Sequence, residues 1–352
     1  MRFLCCDLGG TQADWGVFDS AENKFVHSKG LPTSPYDDFY IMMDEYLKLY
    51  DMELGSDAKK IIKATFGIAG PTKNKTVQPT NIPGWKINTL TIDDLLSEYG
   101  HTCSSTLIND FEALGYGIIA LMDRGLESSD FERIHGVFKT APPRPGEEVG
   151  TRSIVCGPGT GLGVACLVDG LMKDGLPFMF SSEGGHHTLA PESNQQLRIL
   201  MTDGILDEKW SYESVLSHAG LRRVYNFFRK ADHGASPSGN ITTPEIAKLA
   251  GEAGDQAAQD AIQFFCEVLA NFCGNTVLTF NCDKAVFLWG GALQSIPRDT
   301  LHSRFKRHYH QRCKHSDIVG NVPVVLLTNK EIPLLGCARY SASEVASLKD
   351  KG

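Results

Sequence analysis

The chain has no run of lysine or arginine, and its formal net charge is −8 with a pI near 5.8. That balance argues against nucleic acid or an anionic membrane surface as a main partner, so any anionic ligand must be met by local donors. No apolar stretch approaches the roughly 20 residues that span a bilayer. The first apolar run begins at Phe3, which leaves no room for a signal peptide, and a soluble cytoplasmic protein is expected. Ten cysteines include no Cys-x-x-Cys pair, so they read as reduced core residues rather than a metal or redox framework. Cys266 and Cys273 share one face of a helical pattern, which speaks for burial rather than zinc. The phosphate-loop pattern Gly-x-x-x-x-Gly-Lys-Ser/Thr is missing as well. With 352 residues, 42% of them apolar, the chain has room for two ordinary globular domains.

What it does contain is two short glycine turns, each between apolar runs. Phe3-Leu4-Cys5-Cys6 enters Asp7-Leu8-Gly9-Gly10-Thr11, and Trp15-Gly16-Val17-Phe18 leaves it. Ile154-Val155-Cys156 enters Gly157-Pro158-Gly159-Thr160-Gly161-Leu162-Gly163, and Val164 to Val168 leaves it. Both read as strand, turn, strand, so neither is a dinucleotide fingerprint, which would lead into a helix. Glycines let backbone N–H groups approach an anion, and the Thr11 and Thr160 hydroxyls add donors. An ordinary hairpin turn is the alternative for either one alone. Two copies, with an Asn109-Asp110 pair closing a third apolar run between them, point to phosphoryl transfer.

Along the chain, helical spacing is predicted for residues 36–50, 91–96, 111–122 and 334–348. Buried strands are predicted at 61–68, 106–108, 285–289 and 322–327, with Asn109-Asp110 at a strand's carboxyl end, where α/β sheets gather ligands. Residues 123–150 are polar and rich in Pro and Gly, which predicts an irregular surface insertion. A long helical region starts at Thr243-Pro244-Glu245, with Thr243 as N-cap, and runs to Phe280 with interruptions at Gly251 and Gly254. Gly290-Gly291 follows the strand at 285–289 as a third glycine turn. Periodicity alone stops at two α/β domains.

The motifs nevertheless resemble, nearly end to end, those of the bacterial-type glucokinase family, within the sugar-kinase and hexokinase superfamily. They are Asp7 to Thr11, Phe66-Gly67-Ile68-Ala69-Gly70-Pro71, Thr80-Asn81-Ile82-Pro83-Gly84-Trp85, Ile108 to Ala113, Gly159 to Gly163, Glu183-Gly184-Gly185-His186, Tyr212 to Ser217 and Gly290-Gly291. The resemblance implies a two-domain ribonuclease H-like, or actin-like ATPase, fold with the active site in the interdomain cleft. It implies a small domain of residues 1–110 plus 331–352 and a large domain of residues 111–330. It implies phosphorylation of glucose at the 6-hydroxyl by ATP with Mg²⁺, and a homodimer. Asp110 is then the base, although Asp at a strand–helix junction is also an ordinary helix cap. Asn109, Asp110, Glu183, His186 and Glu213 match sugar-binding positions, a donor and acceptor set suited to vicinal hydroxyls. Asp7 matches the Mg²⁺ carboxylate, consistent with that ion's preference for oxygen. Gly9, Gly10, Thr11, Gly159, Thr160 and Gly161 would surround the β- and γ-phosphates. Gly290 and Gly291 would admit adenosine to the backbone, tight packing being the alternative there.

The chain departs from the pattern in three places. Gln12-Ala13-Asp14 stands where the family commonly ends in Arg, putting an acid in place of a base near the phosphates. Ser182 replaces a common Gly, and His218-Ala219 replace a common Gly and a small residue or Pro. Readings still open are a hexose kinase with another sugar or donor preference, a non-catalytic sugar sensor, and an actin-like ATPase that needs no sugar.

Overall fold

The computed structural model describes residues 1–55, 59–72, 75–124, 129–138, 151–173, 176–202, 210–233 and 239–349. The chain opens with β1 (Arg2–Leu8), β2 (Gln12–Asp19), β3 (Lys24–Pro32), α1 (Phe39–Leu54), β4 (Ile61–Ile68), β5 (Thr76–Val77) and β6 (Ile87–Asn88). Next come α2 (Thr89–Glu98), β7 (Ser104–Asn109), α3 (Asp110–Arg124), β8 (Phe131–His135), β9 (Arg152–Pro158), β10 (Leu162–Lys173), β11 (Leu176–Ser182) and α4 (Asn194–Thr202). It continues with α5 (His218–His233), α6 (Thr243–Gly251), α7 (Gln256–Phe280), β12 (Ala285–Leu288), α8 (Gly291–Ser295) and α9 (Arg298–Tyr309). It closes with α10 (Ser316–Gly320), β13 (Val324–Leu327) and α11 (Ile332–Lys349).

Two sheets repeat one plan. The first has the order β3-β2-β1-β4-β7, with β1 antiparallel to β2 and parallel to β4. The second has the order β11-β10-β9-β12-β13-β8, with β9 antiparallel to β10 and parallel to β12. Each glycine turn is therefore the hairpin between a central strand and its antiparallel neighbour. Both central strands are almost wholly buried, because helices cover their sheets on both faces.

In the first sheet, α1 buries Phe39, Met42, Met43, Tyr46, Leu47 and Tyr50, one stripe at helical spacing, capped by Asp38 through the Ile41 N–H. Trp15 stacks on Tyr46 and Phe39 at centroid distances of 5.1 and 5.5 Å. The two sheets share a core made by α3 and α11. Phe3 and Cys5 of the first sheet, Ala165 and Leu167 of the second, and Ala113, Tyr116, Leu334 and Cys337 of the helices form one buried cluster. Lys63 of β4 reaches the same helix pair, its Nζ 2.7 Å from Glu344 of α11.

The structure differs from the sequence reading in four places. Phe131–His135, expected within an irregular insertion, is an edge strand antiparallel to β13; residues 139–150 lie outside the described residues. The helix at 243 is capped by Thr242, whose N–H and hydroxyl both meet Glu245 Oε2 at 2.7 Å, so Thr243 is already the first helical residue. Strands β3 and β11 extend each hairpin into a three-stranded meander. Finally, α7 is long and apolar enough to cross a membrane by length and composition, but 78% of the qualifying window is buried inside the protein. The break after Gly251 and the left-handed Gly254 fall where expected. The nine cysteines whose side chains are described form no disulfide, and eight of them are buried.

Candidate active site

Asp110 sits where β7 becomes α3. The Phe111 N–H donates to Oδ1 of Asn109 at 2.9 Å and to Oδ1 of Asp110 at 3.0 Å, so both side chains satisfy the start of the helix. The helix-start role of Asp110 is therefore met in the structure. Burial, with the charge of the nearby Glu183 adding to it, raises the Asp110 carboxyl to about 6 against the pull of these N–H donors. Part of its surface stays open.

Asp7 lies at the carboxyl end of β1, in register with Asp14 across β2 and with Gly67 of β4. Burial pushes its carboxyl well above the ordinary range, and the charges of Asp110 and Asp14 add to that. Among the described residues no cationic side chain offsets this cluster. An unpaired, partly shielded carboxylate among like charges fits a divalent cation. No set of three or more His, Cys, Asp or Glu side chains gathers as a closed metal site among the described residues. Such an ion would therefore take most of its oxygens from phosphate and water, as Mg²⁺ commonly does. Asp14 accepts from Gln12 Nε2 at 2.6 Å, so the amide partner of Asp14 is the residue that also departs from the family pattern.

The remaining residues that match sugar-binding positions come together around an imidazole. A 3-10 turn over Gly184–His186 follows β11, and His186 lies between two carboxylates. Its Nε2 is 3.8 Å from Glu183 Oε2, and its Nδ1 is 3.8 Å from Glu213 Oε1. Glu183 is 90% and His186 60% exposed, which leaves both free to meet a ligand. Ser182 Oγ accepts the Gly184 N–H at 3.0 Å, so this departure from glycine braces the turn. The other carboxylate oxygen of Glu213 accepts the Leu162 N–H at 2.8 Å, joining this cluster to the second glycine turn.

The two glycine turns face each other. A Cβ on Gly10 would lie 3.6 Å from Thr160 Oγ1 and 3.0 Å from the Asn81 side chain. The Thr33 hydroxyl donates to the Gly10 carbonyl at 2.9 Å, and the Thr33 N–H to the Thr11 carbonyl at 3.1 Å. Gly9 N–H donates to Gln12 O and Gly159 N–H to Gly161 O, which closes each turn. Gly290, at φ 149°, brings its backbone against the Pro158 carbonyl, a conformation and an approach that only glycine allows. Tight packing thus accounts for Gly290, while Gly291 faces the imidazole of His218.

Asp7, Gly9, Gly10, Thr11, Asn109, Asp110, Gly159, Thr160, Gly161, Glu183, His186, Glu213, Gly290 and Gly291 therefore form one connected region between the sheets. Sequence reasoning assigned no role to Asn81 or Thr33. Asn81 stood inside a quoted motif, whereas Thr33 carried no signal beyond its place at the end of β3. A groove of about 570 Å³ along α6, lined by Ile241, Glu245, Lys248 and Leu249, includes none of these residues.

Comparison with known proteins bears on the family and the fold. The family model described as Glucokinase matches residues 4–344. A glucokinase of Mesorhizobium japonicum is 28% identical over 344 residues, covering 97% of this chain and 92% of that one. The crystal structure of a glucokinase from an Antarctic psychrotroph superposes with a TM-score of 0.72 at 26% identity, covering 97% of this chain and 98% of that one. The glucokinase of Balamuthia mandrillaris, solved in complex with glucose, has the same fold, with a TM-score of 0.75 at 17% identity over 97% of this chain and 93% of that one. The fold is the two-domain, actin-like ATPase type, and on the match across residues 4–344 the chain belongs to the glucokinase family.

Proposed function

We propose that the chain transfers the γ-phosphoryl group of ATP to the 6-hydroxyl of glucose, releasing glucose 6-phosphate and ADP, with Asp110 as the base. The observation that carries this reading is Asp110 itself. It stands at a strand's carboxyl end, close enough to Glu183 to be raised by its charge, with its carboxyl near 6, so it is ionised yet basic at neutral pH. The 6-hydroxyl proton passes to Asp110 as the oxygen bonds to the γ-phosphorus, and the bridging oxygen leaves with ADP. A carboxylate helps mainly by orienting the hydroxyl and accepting its proton late.

Asn109, Glu183, His186 and Glu213 supply donors and acceptors for the other hydroxyls. A sugar lacking one of these hydroxyls would leave a polar group unpaired, which is a strong basis for selectivity. Gly9, Gly10, Thr11, Gly159, Thr160 and Gly161 would direct N–H and O–H donors at the β- and γ-phosphates, and Gly290 and Gly291 would border the adenosine. Asp7 would hold Mg²⁺ through oxygen, and the ion supplies neutralisation of phosphate charge. Residues 1–110 with 331–352, and 111–330, would close over the sugar to exclude water as a competing acceptor. A homodimer and a cytoplasmic location belong to this reading on the family resemblance.

The test is sugar-dependent ADP formation from Mg-ATP across glucose, mannose, fructose, galactose and N-acetylglucosamine. Glucose is expected to give the highest kcat/KM. ATP hydrolysis that ignores sugar would replace this reading with an actin-like ATPase.

A further inference from the structure

His218 occupies a position where glycine is common in the family, and the structure gives its imidazole a defined orientation. Its backbone N–H donates to the Gly159 carbonyl of the second glycine turn at 2.9 Å. Its Nδ1 is 2.8 Å from the Thr243 hydroxyl, a residue buried at the start of α6. Ser217, immediately before it, accepts the Gly220 N–H at 3.0 Å and donates to the Glu213 carbonyl at 2.9 Å, which fixes the entry into α5. These contacts leave Nε2 as the unengaged nitrogen among the described residues. It lies 3.3 Å from where a Cβ on Gly291 would be, so the ring stands between the phosphate turn and the Gly290-Gly291 turn.

We propose that His218 is a nucleotide-contacting residue which this chain adds to the donor site, its Nε2 hydrogen-bonding the ribose–α-phosphate segment of ATP or ADP. The inference rests on the proposed assignment of the two turns to the phosphates and the adenosine. Burial lowers the imidazole's affinity for a proton, so the ring acts as a neutral partner held by Thr243. One such hydrogen bond corresponds to a roughly 3- to 10-fold change in affinity. A glycine here would leave that segment of the nucleotide facing water.

The experiment is isothermal titration of the full-length protein, wild type, His218→Gly and His218→Gln, with ADP, AMP, tripolyphosphate and glucose. His218→Gly is expected to weaken ADP and AMP by roughly 3- to 10-fold, with His218→Gln recovering most of the loss. Tripolyphosphate and glucose should bind all three proteins alike, which also shows that the variants are folded. Equal or tighter ADP binding by His218→Gly would overturn the proposal, because the ring would then merely narrow the channel. An equal loss for tripolyphosphate would also overturn it, showing that His218 acts by holding the Gly159 turn. Wild-type protein that binds glucose but no adenine nucleotide would overturn the ATP donor assignment, and this inference with it.

Discussion

Glu213 Oε2 accepts the backbone N–H of Leu162 at 2.8 Å while Oε1 of the same carboxylate lies 3.8 Å from His186. One side chain therefore belongs both to the cluster that would hold the sugar and to the turn that would hold the phosphates. A Cβ on Gly161 would come 2.6 Å from that Oε2. Gly161→Ala must displace the carboxylate, breaking a charge-assisted bond of about 1.5–3 kcal/mol. Steady-state kinetics should show KM rising for both glucose and ATP, with kcat/KM down roughly 10- to 100-fold. A change confined to ATP would mean that the two subsites are independent.

The Asp110 carboxyl supplies a pH signature. With the group near 6, kcat/KM for glucose should fall tenfold per pH unit below about pH 6, as the base becomes protonated. A profile flat down to pH 5 would contradict the role.

The same group makes a stability prediction of definite sign. Its carboxyl is raised from 3.8 to about 6, so the folded chain holds a proton that the unfolded chain releases. That stabilisation is full below about pH 4 and is lost as pH rises through 6. Asp110→Asn removes the cost of the buried charge. Urea denaturation at pH 7 should find the variant more stable, by up to about 3 kcal/mol, with the difference shrinking toward pH 4. Equal stability at both pH values would contradict it.

Lys63 tests the fold apart from the site. It is 7% exposed, 2.7 Å from Glu344, and donates to Ser104 and Thr106 at 3.1 and 3.0 Å. Lys63→Ala takes the cation from Glu344, which among the described residues keeps only the Thr106 hydroxyl as a donor, and removes one tie between β4 and α11 while the Thr65–Ser341 hydroxyl pair remains. A destabilisation of about 1–3 kcal/mol is expected, with the KM for glucose unchanged. Thermal unfolding beside glucose titration separates the two effects.

Much of this was legible because local and tertiary signals agreed. Phe3 to Cys6 and Ile154 to Cys156 are short apolar runs that can only be buried strands beside their glycine turns, and Asn109-Asp110 ends such a run. The misses each have a physical cause. Phe131-Glu132-Arg133-Ile134-His135 is an edge strand with mostly polar side chains, and its pairing with β13 comes from the far end of the chain. Thr242 and Thr243 are chemically equivalent caps, and the capping box with Glu245 chooses the first. The Glu213–Leu162 bond joins residues 51 apart, and the Thr243–His218 contact joins residues 25 apart. Neither leaves a periodic trace. The Thr33 hydroxyl that holds Gly10 likewise belongs to the fold and to no motif.

The most direct test of the central claim is turnover of Asp110→Ala with glucose and Mg-ATP, measured beside glucose binding by the same variant. The expected result is a kcat lower by roughly 10²- to 10⁴-fold, with glucose still bound. Wild-type turnover by a folded, glucose-binding Asp110→Ala protein would contradict the assignment of Asp110 as the base.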